Sequence, residues 1–112
     1  MNVNEYLDAT RNEHKVGGHT SLKVRPAIVC GDGLRLSVQA NEYAYCDPRD
    51  NYGPYSAVEI GFPSDVIPEI MEWAETPETP TGTVYGWVPV EVVDAVIAAH
   101  GGIANAPKQV QP

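Results

Sequence analysis

Carboxylates recur at a fixed interval in the second half of the chain, where they could serve as general acids and bases or as an acidic contact face. Glu69, Glu72 and Glu75 are three residues apart in SDVIPEIMEWAE, and Glu78 follows them. This spacing places the first three on roughly one side of a helix. General acid–base catalysis needs two carboxyl groups in unlike environments within a pocket. A row of glutamates is more typical of a solvated face, and the alternative is a face that contacts a basic partner.

Tyrosines are concentrated in one stretch, YAYCDPRDNYGPY, which runs from Tyr43 to Tyr55 and holds four of the chain's six. Tyrosine offers a large amphipathic contact area at a small cost in side-chain entropy, so binding surfaces favour it. With Arg49 among them, Tyr45, Tyr52 and Tyr55 could form a contact patch. The alternative is that Tyr43, Tyr45 and Tyr55 end strands and pack on the core. Tyr52, at the predicted loop tip, is the tyrosine that we expect to be exposed.

Histidine and cysteine show no spacing that is typical of a metal site or a catalytic pair. His14 and His19 lie five residues apart, Cys30 and Cys46 are distant, and neither CxxC nor HExxH occurs. His19 could approach Cys30, but no local signature supports a nucleophile and its base. The glycines of GDG and HGG lack the Lys-Ser/Thr pair of a phosphate loop. We therefore expect reduced thiols, no metal and no cofactor, and an enzyme is disfavoured.

Charge divides the chain into two unlike parts. The formal net charge is −8, and residues 1–49 hold six basic and six acidic side chains. Residues 50–107 hold nine acidic side chains and neither lysine nor arginine. Such a field repels a phosphate backbone and attracts basic surfaces. Direct nucleic-acid binding is therefore disfavoured, and a basic protein surface is the expected partner.

Two alternating runs on either side of the GDG motif predict a β-hairpin over residues 20–40. Apolar and polar side chains alternate in HTSLKVR and again in LRLSVQA, which is the pattern of a half-buried strand. Lys23, Arg25 and Arg35 would then share the solvent face. GDG itself is explained by the positive φ that a tight turn requires.

The predicted elements together indicate an α+β fold. Helical patterns cover residues 65–75 and 89–100, and a short helix is predicted within 3–13, where no strong N-cap is evident. The expected architecture is an antiparallel sheet of about four strands, made of the hairpin and of strands near 55–62 and 82–87. Two helices would cover one face of that sheet.

Length and polarity predict a single domain over residues 1–104 and a flexible C-terminal tail over 105–112. No apolar run approaches the ~20 residues that a membrane-spanning helix needs. The polar start MNVNEYLDATRNE lacks the basic and apolar regions of a signal peptide, so we expect a cytoplasmic protein.

Three segments carry a resemblance to known proteins: GGHTSLKVRPAIVCGDGLRLSVQA, YSAVEIGFPS and PTGTVYGWVPVEVVDAVIAAHGGI. They resemble a group of small proteins of uncharacterised function that tailed bacteriophages and prophages encode. The resemblance covers roughly residues 17–103 and follows the overall pattern, without a catalytic signature. It implies a setting in the bacterial host cytoplasm during infection. It also implies action by binding and blocking host machinery, including CRISPR and other immune systems.

The leading hypothesis is a non-enzymatic, anti-CRISPR-like inhibitor of a bacterial defence complex. Acidic side chains of residues 50–94 would engage a basic groove on a protein or ribonucleoprotein, and the tyrosine loop would supply an apolar anchor. One alternative is a sponge for a small nucleotide immune signal, which needs cations and stacking rings. Its candidates are Arg25, Arg35 or Arg49 with Tyr45, Tyr52 or Trp87. Another is a regulatory or accessory protein of phage replication, and a sheet edge would also allow a homodimer.

Overall fold

A computed structural model describes residues 1–11, 13–16, 19–22 and 24–107. Its elements, in chain order, are α1 (Val3–Ala9), β1 (Glu13–Val16), β2 (His19–Leu22), β3 (Ile28–Val29), β4 (Arg35–Gln39), β5 (Ala57–Gly61), a 3-10 helix (Pro68–Trp73), β6 (Val84–Pro89) and α2 (Val90–Ala99). Among the described residues, no helix is both long and apolar enough to span a bilayer.

Four strands form one antiparallel sheet in the order β3-β4-β5-β6. Alternate side chains of the two central strands, such as Leu36 and Val38 of β4 and Val58 and Ile60 of β5, are buried in the core. This period of two is what a sheet with one covered face requires. The predicted α+β class with a four-stranded antiparallel sheet is confirmed.

The predicted hairpin is present but shorter than residues 20–40. β3 and β4 pair on either side of the GDG turn, where Gly33 has a φ of 97°. Residues 19–22, by contrast, pair with 13–16 in a separate two-stranded sheet. The segment before Pro26 thus does not extend the main sheet. Proline has no amide N–H to donate to a neighbouring strand, so it interrupts the hydrogen bonding of a sheet.

Arg25 is buried, and the prediction that it lies on the solvent face is wrong. Its exposed fraction is 3%, whereas the neighbouring Val24 is 77% exposed. The Gln39 side chain replaces a strand partner here: its amide donates to the Arg25 carbonyl at 2.9 Å, and its oxygen accepts from the Arg25 amide at 3.0 Å. Arg35 is exposed as predicted, and Lys23 lies outside the described residues.

The Arg25 guanidinium is held by main-chain oxygens. Nε donates to the Leu7 carbonyl at 3.1 Å, and Nη1 donates to the Ala40 carbonyl. Burial lowers the pKa of this arginine, because the charged form loses hydration. These bonds join α1 to the end of β4, so Arg25 is part of the scaffold.

α1 begins with a capping box that the sequence analysis missed. The Asn2 side chain accepts from the Glu5 amide at 2.8 Å, and the Glu5 carboxylate accepts from the Asn2 amide at 2.8 Å. The Asp94 carboxylate accepts from the Val3 amide at 2.8 Å and so ties α1 to α2. The helix ends at Ala9, earlier than the 3–13 segment suggested.

The predicted helix at 65–75 is a six-residue 3-10 helix, and the helix at 89–100 is α2, as predicted within a residue. No side chain caps the 3-10 helix, and Pro68 occupies its first turn, where a proline is tolerated because that amide has no intrahelical acceptor. α2 ends at Ala99; its C-cap, His100, is followed by Gly101, with a φ of 94°.

The described chain stays attached to the fold beyond residue 104. The Asn105 side chain donates to the Ala27 carbonyl at 2.8 Å and accepts from the Val29 amide at 2.9 Å. Of the predicted tail, residues 108–112 lie outside the described residues.

Candidate partner-binding surface

A β-bulge in the sheet turns Trp87 outward. The register between β5 and β6 shifts, so that one residue of β5 faces two of β6. The flanking pairs are Val58–Val88 and Ile60–Tyr85. Glu59 therefore lies opposite both Gly86 and Trp87. Trp87 has a φ of 52°, a left-handed conformation that is unfavourable for a residue with a large side chain, and its ring is 49% exposed. Strained residues of this kind occur where the surrounding structure enforces them, and many are functional.

Tyr45 holds the Trp87 ring in place. The two rings are stacked, with centroids 5.0 Å apart and planes inclined by 24°. The Trp87 amide donates to the Tyr45 carbonyl at 3.0 Å, and the Tyr45 amide donates to the Glu59 carboxylate at 3.1 Å. A Cβ at Gly86 would lie only 3.3 Å from the Tyr45 Cβ, so glycine makes room for this stack. Ring and backbone contacts together fix the orientation of Trp87.

A hollow of about 430 Å³ lies beside this stack, and we name it the aromatic cleft. Its lining consists of Tyr45, Trp73, Glu75, Val84, Gly86 and Trp87. Three aromatic side chains and one carboxylate therefore meet at one open depression. The Glu75 amide donates to the Val84 carbonyl at 2.9 Å, which fixes the backbone of Glu75 beside β6.

A second hollow, of about 490 Å³, lies between the 3-10 helix and α2, and we name it the apolar groove. Apolar side chains form most of its surface: Trp73, Val92, Ala95, Val96 and Ala99. Three carboxylates complete the lining: Glu69, Glu72 and Glu91. In a 3-10 helix residues i and i+3 are eclipsed, which places the first two carboxylates in one row. An acidic edge thus borders an apolar floor.

Trp73 lines both hollows, and we name the two hollows together the Trp73 surface. Of the residues predicted for partner binding, this surface brings together Tyr45, Glu69, Glu72 and Glu75. Arg49 adjoins it, with its guanidinium carbon 5.8 Å from the Tyr45 ring centroid. Glu78 is exposed but lines neither hollow.

Tyr43 and Tyr45 are surface residues, and the alternative that they pack on the core is wrong for these two. Their exposed fractions are 75% and 40%, while Ala44 and Cys46 are buried between and after them. The Asn41 side chain accepts from the amides of Tyr43 and Ala44 at 2.7 and 2.9 Å. After this turn the buried residues Ala44 and Cys46 remain in phase with Leu36 and Val38 of β4, so the two tyrosines point outward.

Tyr55 lies in the core, at 5% exposure, as the packing alternative predicted, and so it does not belong to an exposed patch. Its hydroxyl donates to the Asp50 carbonyl at 2.8 Å. Tyr52 is exposed as predicted, at 64%, but it lines a different hollow beside α1. There the Arg11 guanidinium carbon lies 5.5 Å from the Tyr52 ring centroid.

The other candidate groups of the sequence are not assembled into a reactive site among the described residues. Cys30 and Cys46 are free and buried, and burial raises the pKa of both thiols, which disfavours the nucleophilic thiolate. His100 pairs with Asp32, whose pKa is lowered by the Leu34 amide and by this pairing. Within the part of the chain that the structure describes, no group of three or more His, Cys, Asp or Glu could hold a metal ion.

The central role of the two tryptophans was not predicted from the sequence. Trp87 was predicted only as part of a nucleotide pocket, and no role was predicted for Trp73. One signal was present: a glycine inside the strand TVYGWV indicates a bulge or a close approach of another chain segment. The nucleotide pocket itself is only partly assembled, because Arg25 is buried while Arg49, Tyr45 and Trp87 lie together.

Comparisons of this chain with protein-family models, curated proteins and solved structures find no match.

Proposed function

We propose that this protein is a non-enzymatic binding protein that docks its Trp73 surface onto a basic surface of a protein or ribonucleoprotein partner. The observation that carries the proposal is that the apolar groove and the aromatic cleft share one lining side chain, Trp73, and that four glutamates line the two hollows between them. Aromatic anchors supply much of the affinity of such interfaces, and charge complementarity supplies steering and specificity. As the biological role we propose inhibition of a bacterial defence complex by a phage-encoded protein, since an acidic face can occupy a groove that otherwise holds nucleic acid.

Trp87 allows a direct test, because the chain offers a matched control. Phe62 is also an exposed aromatic residue with a positive φ, 47°, but it lines neither hollow. Replacement by glycine removes the ring and relieves the backbone conformation at either position. Partners captured from a bacterial lysate by the wild-type protein are quantified by mass spectrometry beside Trp87→Gly and Phe62→Gly. We expect Trp87→Gly to reduce capture of a basic partner at least about tenfold, and Phe62→Gly to change it less than about twofold.

The acidic edge is tested by a second matched pair. The double variant Glu69→Lys/Glu72→Lys reverses two charges at the apolar groove. Glu42→Lys/Asp65→Lys makes the same change in net charge at two exposed positions outside both hollows. We expect the first variant to lose the partner and the second to retain it, and added nucleic acid should displace the partner from the wild-type protein. An equal loss of the partner in both double variants would show that only net charge matters, and equal retention would show that the acidic edge is not needed; either result would overturn the proposed surface.

A nucleotide sponge is the second candidate, and one arrangement favours it. Arg49 lies over the Tyr45 ring, on which Trp87 is stacked, so a cation and exposed rings adjoin one cleft. Bases stack on such rings, and a cation can hold a phosphate. Thermal unfolding with a panel of cyclic dinucleotides and cyclised ADP-ribose species distinguishes the two candidates. A clear rise in melting temperature that Trp87→Gly removes would favour the sponge, and no shift across the panel would count against it.

A further inference from the structure

We infer that the aromatic cleft binds a guanidinium group, namely the side chain of an arginine on the partner surface. This inference rests on the proposed function and names the chemical group that the cleft recognises. The indoles of Trp73 and Trp87 and the phenol of Tyr45 line the cleft together with the Glu75 carboxylate. A cation over an aromatic face is attracted by the ring quadrupole, most strongly for tryptophan. No lysine or arginine is among the lining residues of the cleft, and Arg49 lies at its border, over the Tyr45 ring.

A guanidinium fits this lining better than an ammonium group. It is planar, it is weakly hydrated, and it stacks on aromatic faces while its N–H groups bind a carboxylate in a fixed geometry. The molecule already contains two contacts between a guanidinium and an aromatic ring: the guanidinium carbon of Arg49 lies 5.8 Å from the Tyr45 ring centroid, and that of Arg11 lies 5.5 Å from the Tyr52 ring centroid. Glu75 is placed to accept hydrogen bonds from a guanidinium that stacks on the neighbouring indoles.

The cleft is also ordered before any ligand arrives. The bulge, the 5.0 Å stack on Tyr45 and the hydrogen bond from the Trp87 amide fix the orientation of the Trp87 indole. A side chain that is fixed in advance loses little conformational entropy on binding. The left-handed φ of Trp87 therefore has a functional reason: it presents this ring at the surface in a defined orientation.

The two tryptophans permit a direct test, because they are the only ones in the chain and both line the cleft. The indole N–H signals of the full-length protein are followed by NMR during titration with N-acetyl-arginine methylamide. N-acetyl-citrulline methylamide is the neutral control of nearly the same shape. The lysine and trimethyllysine analogues test other cations. We expect a saturable shift of the Trp87 signal with arginine, with citrulline at least about fivefold weaker and both lysine forms weaker than arginine.

Glu75→Gln is the matching variant, because it removes the charge and keeps the size of the side chain. We expect it to weaken arginine binding about threefold to fivefold. Glu78→Gln removes the same charge three residues away, outside both hollows, and should leave arginine binding unchanged. Equal shifts with citrulline, wild-type affinity in Glu75→Gln, or a preference for a lysine form would each overturn the inference. If the arginine titration fails while Trp87→Gly still abolishes partner capture, the inference is wrong and the proposed function stands.

Discussion

Two arginine–tyrosine pairs flank the same loop and have different surroundings. Arg11 over Tyr52 is part of a clamp: its Nε donates to the Asn51 carbonyl at 2.6 Å, and its Nη2 reaches the Tyr52 carbonyl at 2.9 Å and the Asp8 carboxylate at 2.6 Å. We name this set the Arg11 clamp. Its hydrogen bonds join the loop to the end of α1, so this end of the loop is part of the scaffold.

Arg49 over Tyr45 makes weaker and more local bonds, to the carbonyls of Ala44 at 3.1 Å and Tyr43 at 3.2 Å. Tyr45 instead packs on Trp87 and borders the aromatic cleft. The comparison shows that an exposed tyrosine beside an arginine does not by itself identify a contact surface. The other contacts of the arginine and of the ring determine whether the pair stabilises the loop or borders a binding surface.

The largest expected difference between the two pairs is in stability. Arg11→Ala removes the charged group that donates hydrogen bonds to two main-chain carbonyls, and we expect the free energy of unfolding to fall by about 2 kcal/mol. Arg49→Ala removes two longer bonds at an exposed position, and we expect a loss below about 1 kcal/mol. Urea denaturation measures both values. Equal losses in the two variants would contradict the distinction between clamp and surface.

A smaller effect is expected for the coupling between rings. In a double-mutant cycle with Tyr45→Leu and Trp87→Leu, we expect an interaction energy of about 1 kcal/mol, because the rings are stacked. The same cycle with Tyr52→Leu in place of Tyr45→Leu should give a value near zero, since Tyr52 lines a different hollow. A comparable coupling in both cycles would show that the two ends of the loop form one unit.

The smallest effect concerns pH and the loop tip. Amides of Gly53 and Tyr52 donate to the Asp50 carboxylate and lower its pKa in the folded protein. The stability from this carboxylate is therefore full above its unfolded pKa of about 3.9 and is lost as the pH falls through the lower folded pKa. Asp50→Asn should reduce the free energy of unfolding at about pH 7 and converge with the wild type near about pH 2. A constant difference across this range would exclude the charge as the cause.

The α+β class, the GDG turn and α2 could be predicted because each depends on local pattern: alternation, a glycine turn and a 3.6-residue period. The helix at 65–75 was predicted too long, since side-chain period alone does not distinguish a capped α-helix from a short 3-10 helix. Four of the seven acidic and aromatic candidates lie at the Trp73 surface. Tyr52, Tyr55 and Glu78 do not, because their distance from that surface depends on how the loop and the segment after the 3-10 helix fold back.

The sequence by itself determined the alternation of side chains and the separation of charge, with residues 50–107 acidic and without lysine or arginine. Only the tertiary structure decided the phase of the alternation. At Arg25, which the Gln39 side chain binds, the neighbour that points inward is the opposite of the predicted one, since a shift of one residue exchanges the two faces. At Tyr45, by contrast, the inward-pointing residues Ala44 and Cys46 continue the alternation of β4 across the Asn41 turn. The tertiary structure also formed the Trp73 surface, because the bulge at Trp87 and the contact of the 3-10 helix with α2 join segments that are distant in sequence.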